Sequence, residues 1–389
     1  MEIMNKATHT DYLLFSIVYF LQGALRLTGI AMPLFMRQEL GLSISEIAVY
    51  SGIMSLPWTI KPIYGLLSDY VPLFKYRRKS YAIIASLLAI TGWIITGSVS
   101  TIMQLLTAQI LVELGIASLD VFIDGLAVQK STSANRGLIQ SICWGSRSLG
   151  AIIAGFFGGY LLSFFTYREL FIISIIPLIF VLIFSIKVKE NKIVAQKQLK
   201  ENIVGLYRIT IKNKRLGWVL LFLFTFFISP SFGTVLFFYL KDNLAVSELS
   251  LGLLASASSF GGLLGAIIYA KLLDKYRLKP LLYSIVITNI IFSMMYLFIG
   301  TNNVTPIYFL NGILGYITII SCMKLIAEIC PTGGEATTFA LVTSIINFAG
   351  GVISPALGGW ISGFATMQTL ILISSLSQIV PLIILKKIE

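Results

Sequence analysis

Apolar residues recur along this chain in long unbroken runs, not in the one-sided stripes of a soluble helix or the alternation of a half-buried strand. In a window of about 19 residues the runs fall near 11–36, 44–66, 80–100, 103–127, 136–163 and 169–187. A second set follows near 216–240, 247–272, 280–300, 305–329, 336–363 and 367–385. A helix crosses the hydrocarbon core in about 20 residues. The pattern therefore predicts an all-α integral membrane protein with twelve transmembrane helices in two six-helix bundles. Residues 1–187 form the first bundle, 188–215 a basic linker and 216–389 the second bundle. The first run has no small-residue cleavage site after it and reads as a retained helix, not a signal peptide.

Composition agrees with the pattern. Of 389 residues, 57% are hydrophobic and 12% charged, against about 25% charged in soluble chains. A soluble enzyme is excluded. The net charge of +12 would suggest nucleic acid, but its placement argues otherwise. Of the 29 Lys and Arg residues, 22 fall at the chain ends and in the loops that share their side, nine of them between Lys187 and Arg215. Three fall on the other side: Arg37, Arg168 and Lys241. Positive residues stay cytoplasmic, so both termini and the linker are placed on the cytoplasmic or stromal face. The basic charge is a topology signal with a lipid-headgroup contact, and no nucleic-acid partner is expected.

The two halves echo each other at an offset of 200. Gly158-Gly159-Tyr160 answers Gly358-Gly359-Trp360, Gly150 answers Gly350, Arg147 answers Asn347, and Asp124 answers Lys324. Such repeats are common in transporters. The glycines supply small-residue surfaces on which backbones approach closely. They serve static packing or sliding of one bundle on the other.

Eight charges remain inside the predicted spans: Arg26, Lys61, Glu113, Asp120, Asp124, Arg147, Lys324 and Glu328. A charge near the bilayer centre costs a few kcal/mol, so such residues are rarely idle. Spacings of seven and four put Glu113, Asp120 and Asp124 on one helix face. The depth of Arg147 allows it to pair with Asp120, either as a structural ion pair or as part of a polar path. Asp124 and Lys324, at equal depth in opposite halves, are read as a closing pair, with Glu328 as the competing partner of Lys324. Lys61, beside Pro62 near a helix end, is expected to snorkel to the interface. Gln22 and Arg26 lie four apart near mid-depth.

Several strings then converge. They are Tyr19-Phe20-Leu21-Gln22-Gly23, Pro57-Trp58-Thr59-Ile60-Lys61-Pro62-Ile63-Tyr64-Gly65, and Ser68-Asp69 with Tyr76-Arg77-Arg78-Lys79. Asp120-Val121-x-x-Asp124-Gly125, Gln140-Ser141-x-Cys143-Trp144-Gly145 and Cys330-Pro331-x-Gly333-x-Glu335-Ala336-Thr337 follow. Together they resemble the folate–biopterin transporter family of the major facilitator superfamily over nearly the whole chain. The resemblance implies the twelve-helix facilitator fold, alternating access, and a folate, biopterin or related pteridine as solute. A pterin suits a carboxylate facing paired N–H donors and an aromatic wall. Asp120 or Asp124 would supply the first, and Trp144 or Phe122 the second. The anionic tail of a folate would take Arg26, Arg147 or Lys324. The substrate set is thus Gln22, Arg26, Glu113, Asp120, Asp124, Trp144, Arg147, Lys324 and Asn347. The conformational latch is Lys61, Asp69, Arg77, Arg78 and Asp274.

No phosphate-binding Gly-rich loop is present, so nucleotide hydrolysis does not power this chain. A proton is a candidate co-solute and facilitated exchange an equal one. His9 is the single histidine, and Cys143, Cys322 and Cys330 have no zinc spacing. No cofactor, metal or catalytic residue is expected, and an intramembrane enzyme is disfavoured. The competing reading is a facilitator of another polar or anionic solute, such as S-adenosylmethionine, a nucleoside or an amino acid. A monomer in a bacterial inner membrane or plastid-type envelope is expected.

Overall fold

The structure is a computed structural model and describes residues 9–71, 73–76, 79–129, 132, 135–187, 214–330 and 335–388. Among these, every regular element is helical. Nine stretches are long and apolar enough to cross a membrane. Three further helical stretches, at 44–70, 136–161 and 214–242, stand between them in the chain. The element order is consistent with the expected twelve. These are α1 (9–38), α2 (44–70), α3 (79–96), α4 (102–129), α5 (136–161), α6 (167–187), α7 (214–242, broken by a non-helical stretch at 228–232), α8 (248–273), α9 (278–298), α10 (304–329), α11 (335–362) and α12 (367–385). The basic linker lies outside the described residues as far as position 213.

Polar caps start four of the helices that begin at the membrane face opposite the termini. Ser43 accepts the Glu46 amide before α2, and Thr166 that of Glu169 before α6. Ser247 caps α8 through Ser250, and Thr366 caps α12 through Thr369. Each hydroxyl satisfies an amide that the helix leaves unpaired. Thr166 and Thr366 stand 200 residues apart, so the internal echo extends to the caps.

The spans are not uniform cylinders. A 3-10 turn at Leu25–Thr28 interrupts α1, and another at Leu56–Ile60, with Pro57 buried, interrupts α2. In α11 the helix widens to a π segment at Asn347–Ile353. Irregular backbone at membrane depth is tolerated where it is buried in protein or lines a cavity. These breaks mark where to look for a site.

Glycines set the helix contacts. A Cβ at Gly158 would strike the Leu27 carbonyl of α1, while one at neighbouring Gly159 would meet Glu248 and Gly252 of α8. In α11, a Cβ at Gly358 would strike the Ser231 carbonyl of α7, and one at Gly359 would meet Ser45 and Ala48 of α2. Each Gly-Gly pair therefore faces its own half with one residue and the other half with the next. Seams α5–α8 and α2–α11 join the halves. Away from the termini, a core of Leu34, Phe35, Leu236, Phe238 and Tyr296 draws on both halves, and Arg37 pairs with Asp242 at 3.0 Å.

Candidate functional site

Between the halves lies a cavity of about 250 Å³. Its walls come from the interrupted parts of α1, α2 and α11 together with α4, α5 and α10. Arg26 stands in the 3-10 turn of α1 and is exposed although deep in its span, because it borders this space. Trp58 stands in the 3-10 turn of α2, and Lys61 is the first residue of the helix that resumes after it. The breaks thus aim two cations and an indole at the centre.

Lys61 organises the charge. It is 4% exposed, as is Asp120. Its ammonium donates to the Asp120 carboxylate and lies 3.7 Å from Asp124. Asp124 also accepts the Tyr19 hydroxyl. Gln22 is buried beside Asp120. One ammonium stands between two carboxylates, and the hydrogen bonds from Lys61 and Tyr19 offset part of their desolvation.

Arg147 forms no ion pair within 4 Å among the described residues; its guanidinium lies over the Trp144 ring, 5.1 Å from the centroid. Its Nε is buried without a hydrogen-bond partner. Trp144 meets Tyr316 edge-on at 5.9 Å and Tyr19 at 6.5 Å. Phe339, Thr343 and Ile346 of α11 complete the wall with Asn347, whose amide donates to the Trp58 carbonyl at 3.2 Å, across the two halves. Among the described lining residues there are three cations (Arg26, Lys61 and Arg147) and two carboxylates, Asp120 and Asp124. The space carries an excess of positive charge beside aromatic faces. Such a lining can pair with an anionic group and stack on a flat ring.

The structure departs from several sequence-based expectations. Lys61 does not snorkel, because the two carboxylates of α4 hold it in the interior. Asp120 pairs with Lys61 and not with Arg147. Asp124 does not reach Lys324. That lysine pairs with Asp274 of α8 at 2.7 Å and also donates to the Asp274 carbonyl at 2.6 Å, while Glu328 is exposed. Glu113 is not on the cavity wall; it accepts the Trp58 indole N–H at 2.5 Å and fixes that ring. The shared face of Glu113, Asp120 and Asp124 does point inward, toward α2. Gln22 and Lys324 also stand off the wall. Of the proposed latch, Asp274 sits where a Cβ at Gly137, at the start of α5, would strike its carboxylate. Arg77 and Arg78 lie outside the described residues, as do the side chains of Asp69 and Phe122. The sequence reading missed Tyr19 and Trp58 as site residues. Both stand in motifs quoted above, but aromatic residues are too frequent in an apolar chain to single out.

Solved structures similar to this one show the fold alone. A nucleoside transporter, NupG, superposes with a TM-score of 0.74 at 16% identity, covering 97% of this chain and 99% of that one. The human organic anion transporter MFSD10 gives 0.70 at 13% identity, covering 98% and 100%. The E. coli fucose:proton symporter gives 0.67 at 16%, covering 98% and 99%. The fold is that of the major facilitator superfamily. In sequence, the Folate-biopterin transporter of Synechocystis sp. is 30% identical over 98% of this chain and 82% of its own length. Folate transporter 1 of Plasmodium falciparum is 27% identical over 95% and 78%. The BT1 family model matches residues 22–388. Nearly the whole chain is thus accounted for by one family, and this multi-pass membrane protein belongs to the BT1 family.

Proposed function

We propose that this protein is a secondary active or facilitative transporter that carries a folate, biopterin or related pteridine by alternating access. The central cavity carries the proposal: three cations and two carboxylates meet four aromatic side chains between two halves joined by glycine seams. The names of the Synechocystis and Plasmodium relatives support the solute class.

In this reading residues 1–187 and 216–389 are the two rocking bundles and 188–215 tethers them from the cytoplasmic or stromal side. Arg26 and Arg147 hold the anionic part of the solute, and Trp144, Trp58 and Tyr19 stack on its ring. Asp120 and Asp124 face the paired N–H donors of the pterin or accept a proton when Lys61 is drawn away. Gln22, Glu113 and Asn347 orient these groups. Asp274 with Lys324 closes the side of the termini in one state. The protein acts as a monomer in a bacterial inner membrane or plastid-type envelope.

Uptake of labelled folate and biopterin into proteoliposomes tests the solute, with nucleosides and S-adenosylmethionine as competitors. Saturable pteridine uptake is expected. Inhibition only by nucleosides or S-adenosylmethionine would reassign the solute, and a proton ionophore separates coupled from facilitated transport.

A further inference from the structure

Beyond the charged cavity lies a second space of about 280 Å³. It is set toward the membrane face away from the termini, between α1 and α5 on one side and α7, α8 and α10 on the other. Its chemistry is the opposite of the first. Leu27, Ile30, Ala154, Leu251, Leu254 and Ala255 give it apolar walls. Polar side chains are few: Ser258, Ser259 and Tyr308. Among its described lining residues the single charge is Arg26, and Arg26 also borders the first cavity.

Size gives this arrangement meaning. Each space alone falls just below the roughly 300–1,000 Å³ of sites that enclose drug-sized ligands. A bare pteridine with a short side chain needs one chamber. A pteridine carrying an aminobenzoyl-glutamate arm needs both. An arene and its linkers suit an apolar chamber, and an arm carbonyl or carboxylate suits a guanidinium at the neck.

We propose that the two spaces form one two-chamber site joined at Arg26, and that the apolar chamber selects solutes by admitting their aryl arm. The inference rests on the pteridine reading above and deepens it. The charged chamber takes the heterocycle, which any pteridine shares. The apolar chamber distinguishes an arm-bearing solute from a bare one, with Arg26 contacting the arm as it passes. Ala255 faces the chamber from α8, so a larger side chain there takes up arm space without touching the charged cavity.

The test is uptake of folate and biopterin by the full chain in proteoliposomes, for wild type and a graded series Ala255→Val, Ala255→Leu and Ala255→Phe. The folate-to-biopterin uptake ratio should fall with side-chain volume, by about tenfold or more at Phe, a discrimination of the size that apolar pockets achieve. A ratio constant within about twofold across variants that still carry biopterin would overturn the two-chamber site. A variant-free measurement covers the case in which these proteins fail to fold. On wild type, 4-aminobenzoyl-glutamate should inhibit folate uptake more strongly than biopterin uptake. Equal or no inhibition of the two would overturn the proposal. If wild type carries neither pteridine, the pteridine reading itself fails; a preserved wild-type pattern with an unchanged ratio sinks the apolar chamber alone.

Discussion

Lys61 holds two carboxylates of one helix and so sets the state of the whole cluster. Removing it would leave Asp120 and Asp124 facing each other without a counter-ion, and a broken buried pair typically costs about 3–5 kcal/mol. Lys61→Met should therefore abolish uptake and lower the unfolding temperature in detergent. Lys61→Met with Asp120→Asn should regain most of that stability, because the unpaired charge is gone, but not the uptake. Recovered uptake in the double variant would make Lys61 a structural residue only. The sequence showed that Glu113, Asp120 and Asp124 share a face, since a period of 3.6 fixes faces. It did not show which helix that face meets. Depth along the helices points to Arg147 and leaves Lys61 to snorkel; that Lys61 is the partner instead depends on how α2 resumes after its break at Leu56–Ile60.

Helix seams are decided by where a side chain is absent. Gly358 packs against a backbone carbonyl of α7, whereas Gly217, in the first turns of α7, has open space where a Cβ would go. Gly358→Ala should thus destabilise the protein by about 1–3 kcal/mol through overpacking. Gly217→Ala should stabilise it by about 0.4–1 kcal/mol through reduced freedom of the unfolded chain. Thermal unfolding of the two purified variants measures the contrast; equal shifts would contradict the packing described. The repeated Gly-Gly pairs were visible as a 200-residue echo. Their division of labour, one glycine to each half, was not visible, because it depends on helices far apart in sequence coming together.

At the scale of the molecule, transport requires the two halves to part on alternate sides of the solute. Arg37 at the end of α1 and Asp242 at the end of α7 meet across the halves at 3.0 Å. Exposed pairs of this kind contribute little stability, roughly 0–1 kcal/mol, so they break readily during a cycle. With Cys143, Cys322 and Cys330 replaced, Arg37→Cys with Asp242→Cys should retain uptake until a short bifunctional thiol reagent is added. Uptake should then fall to background, while either single variant stays active. Continued uptake in fully cross-linked protein would mean that this side need not open. The sequence by itself determined the class, the spans, the sidedness of charge and the family, because hydropathy, loop charge and local motifs act over short stretches of chain. Tertiary structure alone decided that Lys61 is interior, that Lys324 belongs to Asp274, and that Arg26 joins a charged chamber to an apolar one. Each of these depends on how far a helix is rotated about its axis and where it breaks, and in a bilayer that is set by the packing of neighbouring helices, not by the hydropathy of the helix itself.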